Sequence, residues 1–281
     1  MNTKTIWWVL LLALVGLAAA GLYWWQRQVQ APSPVVSAPI AIAPPPVAAP
    51  PVASAPPAIA HPIEAAASAP EVTARTLPAP DQAGSYVNDA LLELLGRKSV
   101  LTFMNTEGFV AHLVATVDNL DRAHAAARLW PLNPTPQRFV TISSGTGTLI
   151  GAENAKRYEP MVGFVESVNS AKAVALYRHL YPLFQHAYEQ LGYPGKYFND
   201  RLVQVIDHLL QTPEPAEPIT VQLTEVKGPI ESTTPWLRYE YADPALESRS
   251  AGQKILMRVG KDNAKRLKAK LAEIRRLVAR G

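Results

Sequence analysis

From residue 82 onward the apolar positions recur mostly at helical spacing. Val87, Leu91, Leu94 and Leu95 form a stripe behind Ser85, a predicted N-cap, and Gly96 is placed to end that helix. The segment EGFVAHLVATVDNL (107–120) repeats at Phe109/Val110, Leu113/Val114, Val117 and Leu120, which predicts an amphipathic helix. Residues 154–167 read as two short helices separated at Pro160, because proline removes a backbone donor. Residues 170–191 read as one long helix with a kink or break at Pro182. In GYPGKYFNDRLVQVIDHLL (192–210), Gly192 suits a left-handed helix end, Pro194-Gly195 a turn, and Asn199 or Asp200 the cap of a new helix. Leu202, Val203, Ile206, Leu209 and Leu210 are its apolar face. The segment is therefore a corner between two helices, with Tyr193, Lys196, Tyr197 and His208 as surface or core polar groups.

Two stretches alternate with the period of a strand. RFVTIS and TLI flank a glycine-containing turn and predict a small hairpin. ITVQL places Ile219, Val221 and Leu223 inward, and WLRYEY places Leu237, Tyr239 and Tyr241 on one face, which predicts an antiparallel pair across a long loop. Asp243-Pro244 opens a helix, Ser250 with Gln253 reads as a capping box, Gly260 ends that helix and Asp262 is the predicted cap of the last. In that last helix Ala264, Leu267, Leu271, Ile274 and Val278 form the apolar stripe. Lys265, Arg276 and Arg280 lie opposite it, flanked by Arg266, Lys268, Lys270 and Arg275.

The N-terminal third follows other rules. Residues 6–25, IWWVLLLALVGLAAAGLYWW, carry no charge, and a helix of that length is roughly 30 Å long, enough to cross a bilayer core. Trp7 and Trp8 at one end and Tyr23, Trp24 and Trp25 at the other suit the two headgroup layers. A cleaved signal peptide ending at Ala18–Ala20 is the rival reading, but it cuts inside a segment that is still apolar and aromatic. Lys4 and the amino terminus slightly favour a cytoplasmic N-terminus. Residues 31–80 hold 14 of the 26 prolines and no glycine, a composition for extended polyproline II rather than a packed core. The reach of this tether lies between roughly 40 Å coiled and about 155 Å extended. The expected organisation is a cytoplasmic N-terminus (1–5), a transmembrane helix (6–25), a disordered Pro/Ala-rich linker (26–81) and a mostly α globular domain with small antiparallel β elements (82–281).

Charge divides the chain again. Residues 254–281 carry ten basic and two acidic side chains, whereas residues 82–253 are net acidic. The last helix can be a docked helix with a solvated basic face. It can also be a surface for anionic lipid or envelope polymer, with Lys265, Lys268, Arg276 and Arg280 as its candidate residues, or a surface for an acidic protein partner. No aromatic set accompanies the basic residues, so no nucleic-acid partner is expected.

Local catalytic patterns are sparse. The chain has no cysteine, which excludes disulfides, thiol nucleophiles and Cys-based metal sites. His179 and His186 are seven residues apart, about 10.5 Å along a helix, poor spacing for joint metal ligation. His112, Asp118, Asp121 and His124 cluster in sequence without ligand spacing. Asp207 and His208 are adjacent, about 100° apart on a helix, and cannot pair within it. GTGTLIG (145–151) lacks the ending of a nucleotide loop and reads as a turn, and Ser143 and Ser144 have no nucleophile-elbow context. No cofactor and no metal site is expected. A site built from distant carboxylates such as Asp118, Glu166 and Asp207 would leave no local signature.

FVAHLVATVDNL, YRHLYPLFQHAYEQLGYPGKYFNDRLVQVIDHLLQTPEP and YEYADPALESRSAGQKILMRVG resemble a proteobacterial family known only as domain of unknown function number 3014. The resemblance covers nearly all of residues 82–281. It implies the same order of span, tether and domain in a Gram-negative envelope, and it implies no substrate, cofactor or catalytic residue. The expectation is a non-enzymatic, membrane-anchored interaction or scaffold module with an envelope protein partner, resident in the inner membrane with a periplasmic domain. The alternatives are binding of anionic polymer or lipid through the last helix, and an envelope hydrolase with a carboxylate site.

Overall fold

The computed structural model describes residues 58–63, 77–79, 82–145, 147–224 and 239–279. The predicted span 6–25, most of the predicted linker, Leu237 and Arg280 lie outside the described residues. Among the described residues no helix is long and apolar enough to cross a membrane.

Nine helices are described: α1 (Ala83–Leu95), α2 (Arg97–Phe103), α3 (Phe109–Asn119), α4 (Glu153–Ser167), α5 (Ser170–Gln190), α6 (Phe198–Leu210), α7 (Pro244–Glu247), α8 (Ala251–Arg258) and α9 (Lys261–Val278). Strands β1 (Thr141–Ser144), β2 (Gly147–Ile150), β3 (Thr220–Leu223) and β4 (Tyr239–Tyr241) form one antiparallel sheet in the order β1-β2-β3-β4. The two predicted β pairs are both present. The sequence pattern did not reveal that they join, through Thr148 opposite Val221 and Leu149 opposite Thr220.

α5 is the spine of the main core. Leu176, Leu180, Leu183, Phe184 and Tyr188 on it are buried together with Val87, Val114, Phe198 and Leu209. α9 packs against α4, α5 and α6, and its Val278 is buried with Val174, Val203 and Ile206. A separate cluster, Ile219, Val221, Tyr241 and Met257, seats the sheet on α8. Leu223, expected inward with Ile219 and Val221, is 52% exposed because it lies at the strand end, outside that cluster.

Both prolines expected to interrupt helices lie inside continuous ones. Pro160 and Pro182 are on exposed positions, where the carbonyl that each leaves unpaired meets solvent. Pro182 is also flanked by the buried Tyr181, Leu183 and Phe184, so tertiary packing holds the helix through it. α1 starts at Ala83, ahead of Ser85, without a side-chain cap. Asp262 lies in the first turn of α9 rather than at its cap, which is Gly260 at φ 90°. Asp243 and Ser250 cap as expected, accepting from the N–H groups of Ala245 and Gln253. Gln253 does not close the capping box; its amide donates instead to the carbonyl of His208.

One junction orders α3, α6 and α8. The N–H groups of Ala251 and Gly252 donate to the carbonyls of Arg122 (2.7 Å) and Leu120 (2.8 Å). Glycine is required for this approach, because a Cβ at position 252 would lie 2.5 Å from Leu209 Cδ2 and 2.9 Å from the Leu120 carbonyl oxygen.

Candidate functional site

The corner between α5 and α6 carries the densest polar structure of the domain. Tyr188 and Tyr193 stack at 4.7 Å between ring centroids, which fixes the turn over the end of α3. There Asp118, 3% exposed, is surrounded by donors. Arg201 Nε donates to its Oδ1 at 2.9 Å, Arg122 donates to Oδ2 at 2.6 Å, and the Tyr193 hydroxyl donates to Oδ2 at 3.0 Å. Arg201 also donates two hydrogen bonds of 2.6 Å to Asp121. Burial disfavours the Arg201 charge, but the hydrogen bonds it donates to Asp121 and Asp118 outweigh it and raise its pKa. This cluster is the floor of a groove of about 320 Å³ that Tyr197, Asp200 and Gln204 also line.

One wall of the groove, at Ala58 and Ile59, comes from far outside the corner. Residues 58–63, Ala-Ile-Ala-His-Pro-Ile, belong to the stretch expected to be an unpacked linker, yet they lie along the start of α6. Asp200 accepts the N–H of Ala60 at 3.0 Å and that of His61 at 2.7 Å. Tyr197 Oη accepts the N–H of Ile63 at 2.7 Å, and Asn199 Nδ2 donates to the carbonyl of His61 at 2.9 Å. The donors taken are those of residues 60, 61 and 63; residue 62, passed over, is the proline, which has none. Ile63 and Leu77 pack against the main core.

Asn199 joins this segment to the interior. It is fully buried, accepts from Tyr177 Oη at 3.1 Å and donates a second bond to the carbonyl of Val278 at 3.0 Å. The sequence pattern suggested Asn199 or Asp200 as the cap of α6, but the N-cap position is Tyr197, whose side chain makes no capping bond. The two polar residues at the helix start are spent on another strand of chain instead of on their own helix.

The carboxylates read as candidate catalytic groups sit in separate ion pairs. Asp207 faces Arg275 through two bonds of 2.5 and 2.8 Å, Glu166 pairs with Arg266, and Asp118 alone lines the groove. Asp207 and its neighbour His208 diverge as expected, His208 meeting Ser250 at 2.9 Å. His179 bonds Tyr86 at 2.7 Å, and His186 lines a different cavity beside Val87 and Gly108. Among the described residues no group of three His, Cys, Asp or Glu is placed to hold a metal ion. On α9, Lys265 and Arg276 are exposed. Lys268 is turned aside, donating to the carbonyl of Thr212 at 2.6 Å; Arg266, Lys270 and Arg275 are likewise engaged with the domain.

A model of the family described as "Protein of unknown function (DUF3014)" matches residues 109–275. The chain belongs to this family. The match covers the groove residues from Asp118 to Gln204 and leaves out Ala58 and Ile59, which line its other wall. No curated protein and no solved structure matches the chain.

The ion pairs set a pH limit. Hydrogen bonds from Arg275 hold the Asp207 pKa below its usual value, and those from Arg266 do the same for Glu166. A carboxyl group whose pKa is lower in the folded state stabilises the fold above its unfolded value, near pH 4, and loses that contribution as pH falls through the folded value. Burial raises the pKa of Tyr177, Tyr181 and Tyr241, so their contribution is complete below about pH 10 and declines above it. The denaturant midpoint is expected to be flat between about pH 5 and 9 and to fall on both sides, with the rings of Tyr177, Tyr181 and Tyr241, followed individually by NMR, ionising only as the protein unfolds at high pH. Ionisation of these three rings near pH 10 with the fold intact would contradict their burial.

Proposed function

We propose that the protein is a membrane-anchored, non-enzymatic interaction module of the bacterial envelope whose globular domain binds an extended, proline-containing peptide segment. The observation that carries this reading is the capture of two successive backbone N–H groups, those of Ala60 and His61, by the single carboxylate of Asp200. Backbone capture of this kind recognises an extended chain with little demand on its side chains. The chain's own linker holds the site, and a partner segment of the same chemistry competes with it. The apolar residues 6–25 support a span through the inner membrane, with the domain in the periplasm.

Docking has a mechanical consequence for the tether. With residues 58–63 held, the tether meets the domain at residue 58; release moves that point to Leu77 on the core and adds residues 58–76, roughly 60 Å of extended chain. A partner that displaces the segment therefore extends the reach of the domain.

The test uses the full chain with residues 58–63 replaced by Gly/Ser sequence and a labelled synthetic peptide of residues 56–66. The replaced chain is expected to bind this peptide at least about tenfold more tightly than the unaltered chain, in which residues 58–63 already hold Tyr197 and Asp200 in cis. Adding Asp200→Ala is expected to abolish the gain. Absence of peptide binding by the replaced, folded chain would sink the proposal.

A further inference from the structure

A second cavity lies on the other side of the molecule's sequence map, between the 134–139 loop, α4 and β4. Its volume is about 320 Å³, and Arg138, Phe139, Arg157, Tyr158, Tyr239 and Arg258 line it, with no carboxylate among the described lining residues. Four other arginines, Arg122, Arg201, Arg266 and Arg275, each face an Asp or Glu.

The partners of Arg157 and Arg258 are neutral. Arg157 donates to the carbonyl of Gln137 at 3.1 Å and to Tyr158 Oη at 2.6 Å. Arg258 donates to the carbonyl of Tyr239. The Nε–H of each is buried and has no hydrogen-bond acceptor among the described residues. Glu247 senses the Arg258 charge, but its oxygens are committed elsewhere, to Lys254 at 2.7 Å and to the N–H of Tyr241 at 2.9 Å. Two guanidinium groups thus stand in a concave site with no carboxylate bonded to either among the described residues, an arrangement that a bound anion completes.

The walls say what the anion is carried on. Phe139 and Tyr239 lie 5.8 Å apart between ring centroids, and the Arg157 guanidinium sits 4.5 Å from the Tyr158 ring centroid. Flat apolar faces beside a fixed pair of positive charges suit a ring-sized body bearing one oxyanion group. Gln137, at φ 69°, turns the loop so that its carbonyl meets Arg157 and so orients that side chain. We infer that the cavity bounded by Arg157, Arg258, Tyr158 and Tyr239 is a binding site for a sugar-sized ligand carrying a phosphate or carboxylate group.

The full chain is titrated with glucose 6-phosphate, with glucuronate and with uncharged glucose. Binding is followed by calorimetry and by the Arg Nε–H resonances of Arg157 and Arg258. At least one anion is expected to bind and to shift both resonances, whereas glucose leaves them unmoved. Binding of the phosphate alone assigns the site to phosphate esters, of glucuronate alone to sugar acids, and of both to oxyanions in general. Arg157→Gln and Arg258→Gln are each expected to weaken binding about tenfold or more, and Arg258→Lys to lose less because it keeps the charge. The resonances of the unaltered chain provide a readout that survives any failure of a variant to fold. The inference is overturned if neither anion moves them at saturating concentration, or if glucose moves them equally.

Discussion

Replacing Asp118 with Asn is expected to lower the unfolding free energy by about 3–5 kcal/mol, the range for removing one partner of a buried ion pair. The carboxylate is 3% exposed, and the Arg201 side chain that donates to it is only 14% exposed. The substitution keeps the volume but sets an amide against donors. Arg201 retains Asp121, so its charge is not left entirely alone. The second arginine matters much less. Arg122 is 50% exposed on its side chain, and Arg122→Gln is expected to cost no more than about 1 kcal/mol, as for exposed pairs. Urea unfolding of the two variants separates these values, and equal small losses would mean that the cluster does not organise the corner.

Asn199→Ala is expected to cost roughly 3 kcal/mol or more, because several buried polar groups each lose a partner at about 1–3 kcal/mol. Tyr177 Oη loses its acceptor, and the carbonyls of His61 and Val278 lose their donor. Unlike the Asp118 change, this one is expected to act in two places at once. Global stability falls because α5, α6 and the end of α9 come apart at their shared contact, and residues 58–63 lose the bond to His61. Asp200→Ala separates the two effects. It removes the clamp on Ala60 and His61 while leaving Asn199 in the interior, so it is expected to release the segment with a global change of less than about 1 kcal/mol. Urea unfolding of both variants checks the contrast; a loss as large for Asp200→Ala as for Asn199→Ala would mean that the segment is part of the core.

The elements of the domain were legible where a local rule set them. The stripe of α3, the turn at Gly192–Gly195, the hairpin around Gly145 and the caps at Asp243 and Ser250 depend on neighbours within a few residues. The prolines misled, since Pro160 and Pro182 break helices by local rule but lie on exposed positions of helices held by long-range packing. The site was only half legible. The segment 192–210 contains Tyr193, Tyr197, Asn199, Asp200 and Arg201, all of the groove's principal residues from the corner, but caps and periodicity accounted for them fully. Asp118 was visible as a charged residue one step from the apolar stripe of α3, and its burial depends on Arg201, 83 positions away. The segment 58–63 was hidden by composition. Ala-Ile-Ala-His-Pro-Ile differs from the Ala/Pro-rich chain around it in holding the one histidine of residues 26–81, and a lone histidine gives no docking signal. The cavity at Arg157 and Arg258 was invisible because its residues come from four separate segments.

Hydrogen exchange at single-residue resolution on the full chain tests the central claim most directly. The amides of Ala60, His61 and Ile63 are expected to be protected relative to unstructured chain, because each is held by the groove. In Asp200→Ala the protection at Ala60 and His61 is expected to vanish while the amides of α5 keep theirs. Exchange of residues 60–63 at the unprotected rate in the unaltered chain, with α5 protected, would contradict the account: the start of α6 would then hold no peptide.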